Sequence, residues 1–189
     1  LGFLFLSRAK RDALGAVYAY CRHIDDIVDS GGLEKEEARR MLGFWREEVA
    51  RMFAGRPTHS VSRSLLPHLA AYRLPQDAFL EVIRGCEMDL DRVRYATPEE
   101  LESYMHGVAS AVGYLCVEIF GYRETPPQRI REFAKLFGYA FQLTNIIRDV
   151  GADLELGRVY LPESDMKEAG YPERSLLLRD QSPAFTRLM

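Results

Sequence analysis

Residues 18–29, YAYCRHIDDIVD, combine groups able to hold cations with groups able to hold anions. At 3.6 residues per turn, Tyr18, Arg22, Asp25 and Asp29 fall within about 60° of arc on one helical face. Val17, Cys21, Ile24 and Val28 form an apolar stripe of the same period, so this helix would bury one side and hold out an arginine and at least two carboxylates on the other. Residues 141–153, FQLTNIIRDVGAD, repeat the arrangement. Gln142, Asn145, Asp149 and Asp153 share a face, whereas Phe137, Leu143, Ile147 and Val150 point elsewhere. Two such helices facing each other would line a pocket with carboxylates at both rims, which calls for divalent cations. Magnesium usually takes one or two carboxylates per ion, keeps several waters and completes its shell with phosphate oxygens. Asp25 and Asp29 opposite Asn145, Asp149 and Asp153 therefore suit a small ion cluster around a diphosphate. Arg22 and Arg148 offer the forked donors that match phosphate oxygens. Without metal, so many facing carboxylates would raise some of their pKa values.

A single DxxxD on a helix is more often a solvated face than a metal site. Two such faces, each with an arginine and an apolar backing, favour the metal reading. Tyr104 taken alone reads as a core or rim tyrosine, and the small residues Gly107, Ala109, Ser110, Ala111 and Gly113 beside it suit either close helix packing or a cavity wall. Glu87, Asp89 and Asp91 in EMDLD form either a third metal face or a solvated helix end. His23, His59, His68 and His106 show no ligand spacing and read as surface or packing residues.

The elements that must position these groups are helical. With 189 residues, 47% hydrophobic and 28% charged, the chain suits one globular domain with a sizeable core. A net charge of −3 gives no basic face for nucleic acid, so an anionic ligand must be attracted by particular arginines and metals. Cys21, Cys86 and Cys116 are widely spaced and read as free core thiols in a reducing compartment. No apolar run approaches the ~18 residues of a membrane span, and LGFLFLSRAK lacks a cleavable signal pattern. The expected location is cytoplasmic, with peripheral membrane contact left open.

Period-3.6 patterning dominates, with no convincing strand or repeat, and this predicts an all-α domain. Helices are expected over about 7–29, stopped by Gly31-Gly32, and from Leu33 to the loop at Gly55-Arg56-Pro57-Thr58, with Met41, Trp45, Val49 and Met52 facing inward. A third runs over 59–72, where Pro67 should kink or split it, and a fourth from Pro75 to about Leu90. Thr97-Pro98-Glu99-Glu100 is a capping box opening a helix to about Phe120, ended by Gly121. Thr125-Pro126-Pro127-Gln128 repeats that logic for a helix of about 28 residues bearing the second polar face. Gly151 costs about 1 kcal/mol there and should fray the turn holding Asp153. Gly157 to Pro162 reads as a loop over one end of the bundle, and Ala169-Gly170-Tyr171-Pro172 as a turn.

At these residues the sequence resembles the squalene/phytoene synthase family, the head-to-head prenyl diphosphate synthases. YAYCRHIDDIVD resembles the first aspartate-rich motif, GCEMDL with RYAT and LESYMHGVASAVG the central segments, and FQLTNIIRDVGADLELGRVYLP the second aspartate-rich motif. The resemblance implies an isoprenoid synthase helical bundle around an apolar cavity. It implies Mg2+, for which Mn2+ can stand in, at Asp25, Asp29, Asn145, Asp149 and Asp153. It implies substrate diphosphate contacts at Tyr18, Arg22, Gln142 and Arg148, and a catalytic part for Tyr104 alongside Asp25 and Asp149. The implied reaction joins two farnesyl diphosphates into presqualene diphosphate or squalene; the alternative is phytoene synthesis from two geranylgeranyl diphosphates. A reductive step to squalene would need NADPH, for which no GxGxxG is present. Relative to the family pattern, a preceding serine-bearing segment and following helices are expected to be missing, so that residues 1–189 would be one incomplete domain, exposing apolar surface and inactive or misfolded by itself. Two other readings compete. A catalytically silent scaffold relative would have lost metal ligands, yet all five positions are filled. A head-to-tail elongase would carry DDxxD on both helices, whereas the second motif here is NxxxDxxxD.

Overall fold

The computed structural model describes residues 5–29, 33–91 and 93–189. Among them the regular elements are helical: α1 (Arg8–Asp29), α2 (Lys35–Phe53), α3 (Ser60–Ala71), α4 (Gln76–Asp91), α5 (Pro98–Met105), a π-helical turn (His106–Ser110), α6 (Ala111–Phe120), α7 (Pro127–Glu155), and the short α8 (Glu163–Glu168), α9 (Glu173–Leu177) and α10 (Pro183–Leu188). Gly31, Gly32 and the first four residues lie outside the described residues.

Two apolar clusters hold the helices. The larger joins α1–α4 to α6 around Tyr20, Trp45, Phe79, Leu65 and Leu115. Tyr20 meets Trp45 and Phe79 edge-on, with centroids 5.6 and 5.0 Å apart, and its hydroxyl donates to the Phe79 carbonyl at 2.9 Å. That bond satisfies a buried polar tip within an otherwise apolar cluster. The smaller cluster gathers Tyr95, Tyr104, Ile146, Tyr160, Met166 and Tyr171 from the loop before α5, from α5 and α7, and from the segment after α7. α6 packs against both α1 and α7 and so ties the two halves together.

Several expected boundaries moved for identifiable reasons. Helix α3 runs unbroken through Pro67, because the proline withdraws one backbone hydrogen bond, at the carbonyl of exposed Arg63, while Leu65 and Leu69 stay buried. Thr97 does cap α5, and the Glu100 carboxylate accepts from Ala96 N at 3.0 Å. The helix it opens is not uniformly α, since the π turn interrupts it. Thr125 caps nothing: α7 starts at Pro127, and Pro126 is held extended by the proline after it. Gly151 does not fray α7, which continues to Glu155 with the Asp153 carbonyl accepting from Leu156 and Arg158. The three thiols are free, and of them Cys86 is the buried one.

The loop after α2 is held by a buried carboxylate. Glu48, with 0% of its side chain exposed, accepts from Thr58 N, His59 N and Thr58 Oγ1 at 2.6, 2.8 and 2.6 Å, from Arg51 Nε at 2.7 Å and from the Ser62 hydroxyl. Burial pushes its pKa up, but these donors outweigh burial and hold it well below the usual carboxylate range. A depressed folded-state pKa contributes stability above the unfolded value, about 4.3, which is lost as pH falls toward the folded value. Glu48→Gln is therefore expected to cost about 2 kcal/mol in urea unfolding at pH 7, with the gap to wild type narrowing below about pH 4. An equal gap at pH 3 and pH 7 would contradict this account.

Helix α7 docks through Ala134, Gly138 and Ile146, so close that a Cβ on Gly138 would lie 2.9 Å from the Ala109 carbonyl. Its larger apolar residues Phe133, Leu136, Phe137, Phe141, Leu143 and Ile147 are exposed. Among the described residues no helix is long and apolar enough to cross a membrane.

Candidate active site

Helices α1 and α7 face one another across two adjoining clefts. The first, about 210 Å³, is lined by Asp25, Asp29, Asp89, Tyr104, Gln142, Asn145, Asp149, Asp153, Arg158 and Tyr160. The second, about 390 Å³, continues from Asp25 and Asn145 past Tyr18, Arg22 and Cys21 onto a floor of Val82, Cys86, Val108 and Val112. A carboxylate-lined cleft thereby opens onto a mainly apolar one.

The structure brings most of the expected residues to these two clefts. Asp25, Asp29, Gln142, Asn145, Asp149, Asp153 and Tyr104 meet in the polar cleft, and Tyr18 and Arg22 border the apolar one. Arg148 is the exception. It is 65% exposed, lines a separate groove with Tyr171, Arg179 and Phe185, and reaches back to bond Asp149 at 2.7 and 2.5 Å. The EMDLD acids divide. Glu87 pairs with Arg46 and Asp91 with Arg39 on the outside, while Asp89 alone enters the cleft. Neither a third metal face nor a wholly solvated end describes them.

The electrostatics are those of facing carboxylates only partly offset by arginines. Burial, then the neighbouring Asp29, pushes the Asp25 pKa up against the pull of Arg22. Burial and Asp149 do the same to Asp153. Asp149 goes the other way because the Arg148 guanidinium bonds it. Arg22 reaches Asp26 at 2.8 Å and Asp25 at 3.3 Å, and Arg158 donates to Asp29 at 2.8 Å. Among the described residues no three carboxylate, imidazole or thiol side chains converge as ligands of one ion. The donor set still fits magnesium, which needs only one or two protein carboxylates per ion when phosphate oxygens and water complete the shell.

The sequence analysis named Arg158 and Tyr160 only within a loop and Asp89 only within EMDLD, whereas all three line this cleft, with Tyr95 buried behind them. Tyr95, Tyr104 and Tyr160 cluster with ring centroids 5.2–5.8 Å apart. Residues 93–96 and the loop after α7 are zipped by Val159 N to Val93 O at 3.0 Å and Glu163 N to Tyr95 O at 2.9 Å. Their available signal was the presence of RYAT and GRVYLP in otherwise non-helical stretches, since loop residues over a helical scaffold commonly carry function.

An all-helical bundle with carboxylates of two helices facing across such a cleft defines the isoprenoid synthase class of fold. Its squalene synthase HpnC from Alicyclobacillus acidocaldarius superposes with a TM-score of 0.89 at 31% identity, covering 98% of this chain and 68% of that one. The sequence model of squalene/phytoene synthases matches residues 1–189, and the chain belongs to that family. It is 37% identical over 186 residues to a 15-cis-phytoene synthase of Synechococcus elongatus, covering 93% of this chain and 60% of the relative. It is likewise 38% identical over 174 residues to a presqualene diphosphate synthase of Zymomonas mobilis, covering 91% and 58%. The chain thus spans about 60% of the length of these relatives.

Proposed function

We propose that the full-length protein condenses two prenyl diphosphates head to head, taking farnesyl diphosphate to presqualene diphosphate or squalene. The observation that carries this reading is the sharing of Asp25 and Asn145 between the carboxylate-lined cleft and the apolar one. A ligand with a diphosphate head and a hydrocarbon tail has both ends accommodated there. Asp25, Asp29, Asn145, Asp149 and Asp153 would hold Mg2+, which when bound stabilises negative charge developing on a leaving diphosphate. Arg22 and Arg158 turn guanidinium groups toward the same region and favour an anion there. Val82, Val108 and Val112 keep water from an allylic cation formed at the junction. Arg148 reaches this region only through Asp149, so its contact with diphosphate would require its side chain to turn inward.

The second reading is phytoene synthesis from geranylgeranyl diphosphate, supported by relatives named phytoene synthases at similar identity. The discriminating experiment offers each substrate separately with Mg2+, with Asp149→Ala as the control. Presqualene diphosphate or squalene from the C15 substrate is the expected outcome, and phytoene from the C20 substrate moves the assignment to the second reading. If neither is consumed and the variant behaves like wild type, the scaffold reading replaces both.

A further inference from the structure

Asp89 enters the cleft from the last turn of α4 with both oxygens engaged by phenols. Oδ2 accepts from the Tyr104 hydroxyl at 3.0 Å and Oδ1 from the Tyr160 hydroxyl at 3.1 Å, and the two hydroxyl oxygens lie 3.4 Å apart. Tyr104 is only 5% exposed. Each phenol owns one proton. When Asp89 is ionised, both protons are committed to it, and the Tyr104 oxygen has only lone pairs left for a bound ligand. A neutral phenol is a very weak base, and it accepts a proton readily only if its own departs in the same event. The group placed to receive that departing proton is Asp89.

We propose that Tyr104 takes the proton lost in the condensation by passing its own phenolic proton to Asp89, with Tyr160 holding the carboxylate in place. The proposal rests on the head-to-head reading above and deepens it. A C–H bond of the condensed cation breaks, and its electron pair closes the cyclopropane carbon–carbon bond. The proton adds to the Tyr104 oxygen as the phenolic proton moves to Asp89 Oδ2. The cation and the carboxylate become a neutral carbon skeleton and a neutral acid, and Tyr104 ends as it began. Because Asp89 acts through Tyr104, it is a positioning residue and not a catalytic one. Burial pushes the Asp89 pKa up to about 7, against the pull of Arg158 and the two phenols, so the acid form persists near neutrality. Burial, then Asp89, drives the Tyr104 pKa far above its ordinary value. A free phenolate is thereby disfavoured, and concerted transfer is the route that remains.

The test measures released diphosphate and condensed product separately, on the full-length protein with Mg2+ and its preferred prenyl diphosphate. Asp89→Asn keeps the size and one acceptor but cannot store a proton. Its condensed-product turnover is expected to fall about 100-fold or more, with KM within about threefold of wild type and diphosphate release much less affected. The ratio of diphosphate to condensed product therefore rises. Asp89→Glu should recover product to within about tenfold of wild type. Wild-type coupling of the two readouts in Asp89→Asn overturns the relay. So does a proportional loss of both with a lowered Tm and no recovery in Asp89→Glu, which marks a structural role only. A wild-type protein that releases no diphosphate from either prenyl substrate fails at an earlier point: it overturns the functional reading, and the relay with it.

Discussion

Replacing Asp25 with asparagine is expected to lower prenyl diphosphate turnover on the order of 1000-fold while leaving the ligand-free protein no less stable than wild type. Asp25 is shared by the polar and apolar clefts, where a diphosphate head would meet its tail. Its pKa is raised by burial and by Asp29. A carboxylate raised in the folded state costs stability once pH climbs above its unfolded value, about 3.9, so at neutral pH its charge is a liability to the empty fold. Asparagine keeps the shape and removes that charge. The same charge is what a cation cluster needs, and the expected signs are therefore opposite for stability and activity. Mg2+ with inorganic diphosphate should raise the wild-type Tm by several degrees, following ligand linkage, and that of Asp25→Asn by much less. Wild-type turnover in the variant, or a ligand-free Tm several degrees below wild type, would refute this assignment.

The largest expected effect on folding is at Gly107. Here the π turn and α4 touch backbone to backbone: a Cβ on Gly107 would lie 2.6 Å from Gly85 Cα, 2.9 Å from Gly85 N and 2.9 Å from the Glu81 carbonyl oxygen. Those atoms are main chain and cannot rotate away. Gly107→Ala must therefore push α4 from the π turn, at a cost of about 3 kcal/mol, the upper part of the usual overpacking range, or roughly 10 °C in Tm. Because Asp89 sits on α4 and Tyr104 on α5, which runs directly into the π turn, their 3.0 Å hydrogen bond should lengthen too. Gly151→Ala is the matched control. Nothing lies within 4 Å of a Cβ there, and it sits inside α7, so alanine should stabilise by about 0.5–1 kcal/mol. If both glycine variants have similar Tm values, close backbone contact is not what Gly107 serves.

The residues that were legible from sequence are those whose partners lie one or two turns away on the same helix. Asp25 with Asp29, and Asn145 with Asp149 and Asp153, share faces because of the 3.6-residue repeat alone, and the cleft contains all five. The Thr97 cap and the turn at Gly170, with φ of 67°, were legible for the same local reason. Legibility failed where a residue's surroundings come from elsewhere in the chain. The helical period sets Asp89 about 200° from Glu87 and from Asp91, but it does not say what either side of α4 will meet. Arg46 and Arg39 of α2 draw two of them outward, and Tyr104 and Tyr160 hold the third inward. The π turn was equally hidden: one residue added to one turn rotates the helix beyond it by about 100°, and no pattern of apolar residues announces it.

By itself, then, the sequence determined the all-α class and the two carboxylate faces, which depend on short-range periodicity and capping, and the family resemblance, which depends on the identity of its motifs. Only the tertiary structure decided that Arg148 turns away from the cleft while Arg158 turns in, and that α7 docks through alanine and glycine while its phenylalanines stay exposed. It also decided that one acid of three becomes the partner of Tyr104. The physical reason is that a helix specifies which residues share a face, but not which neighbour that face will meet. That choice is made by burial and close backbone approach between elements distant in sequence.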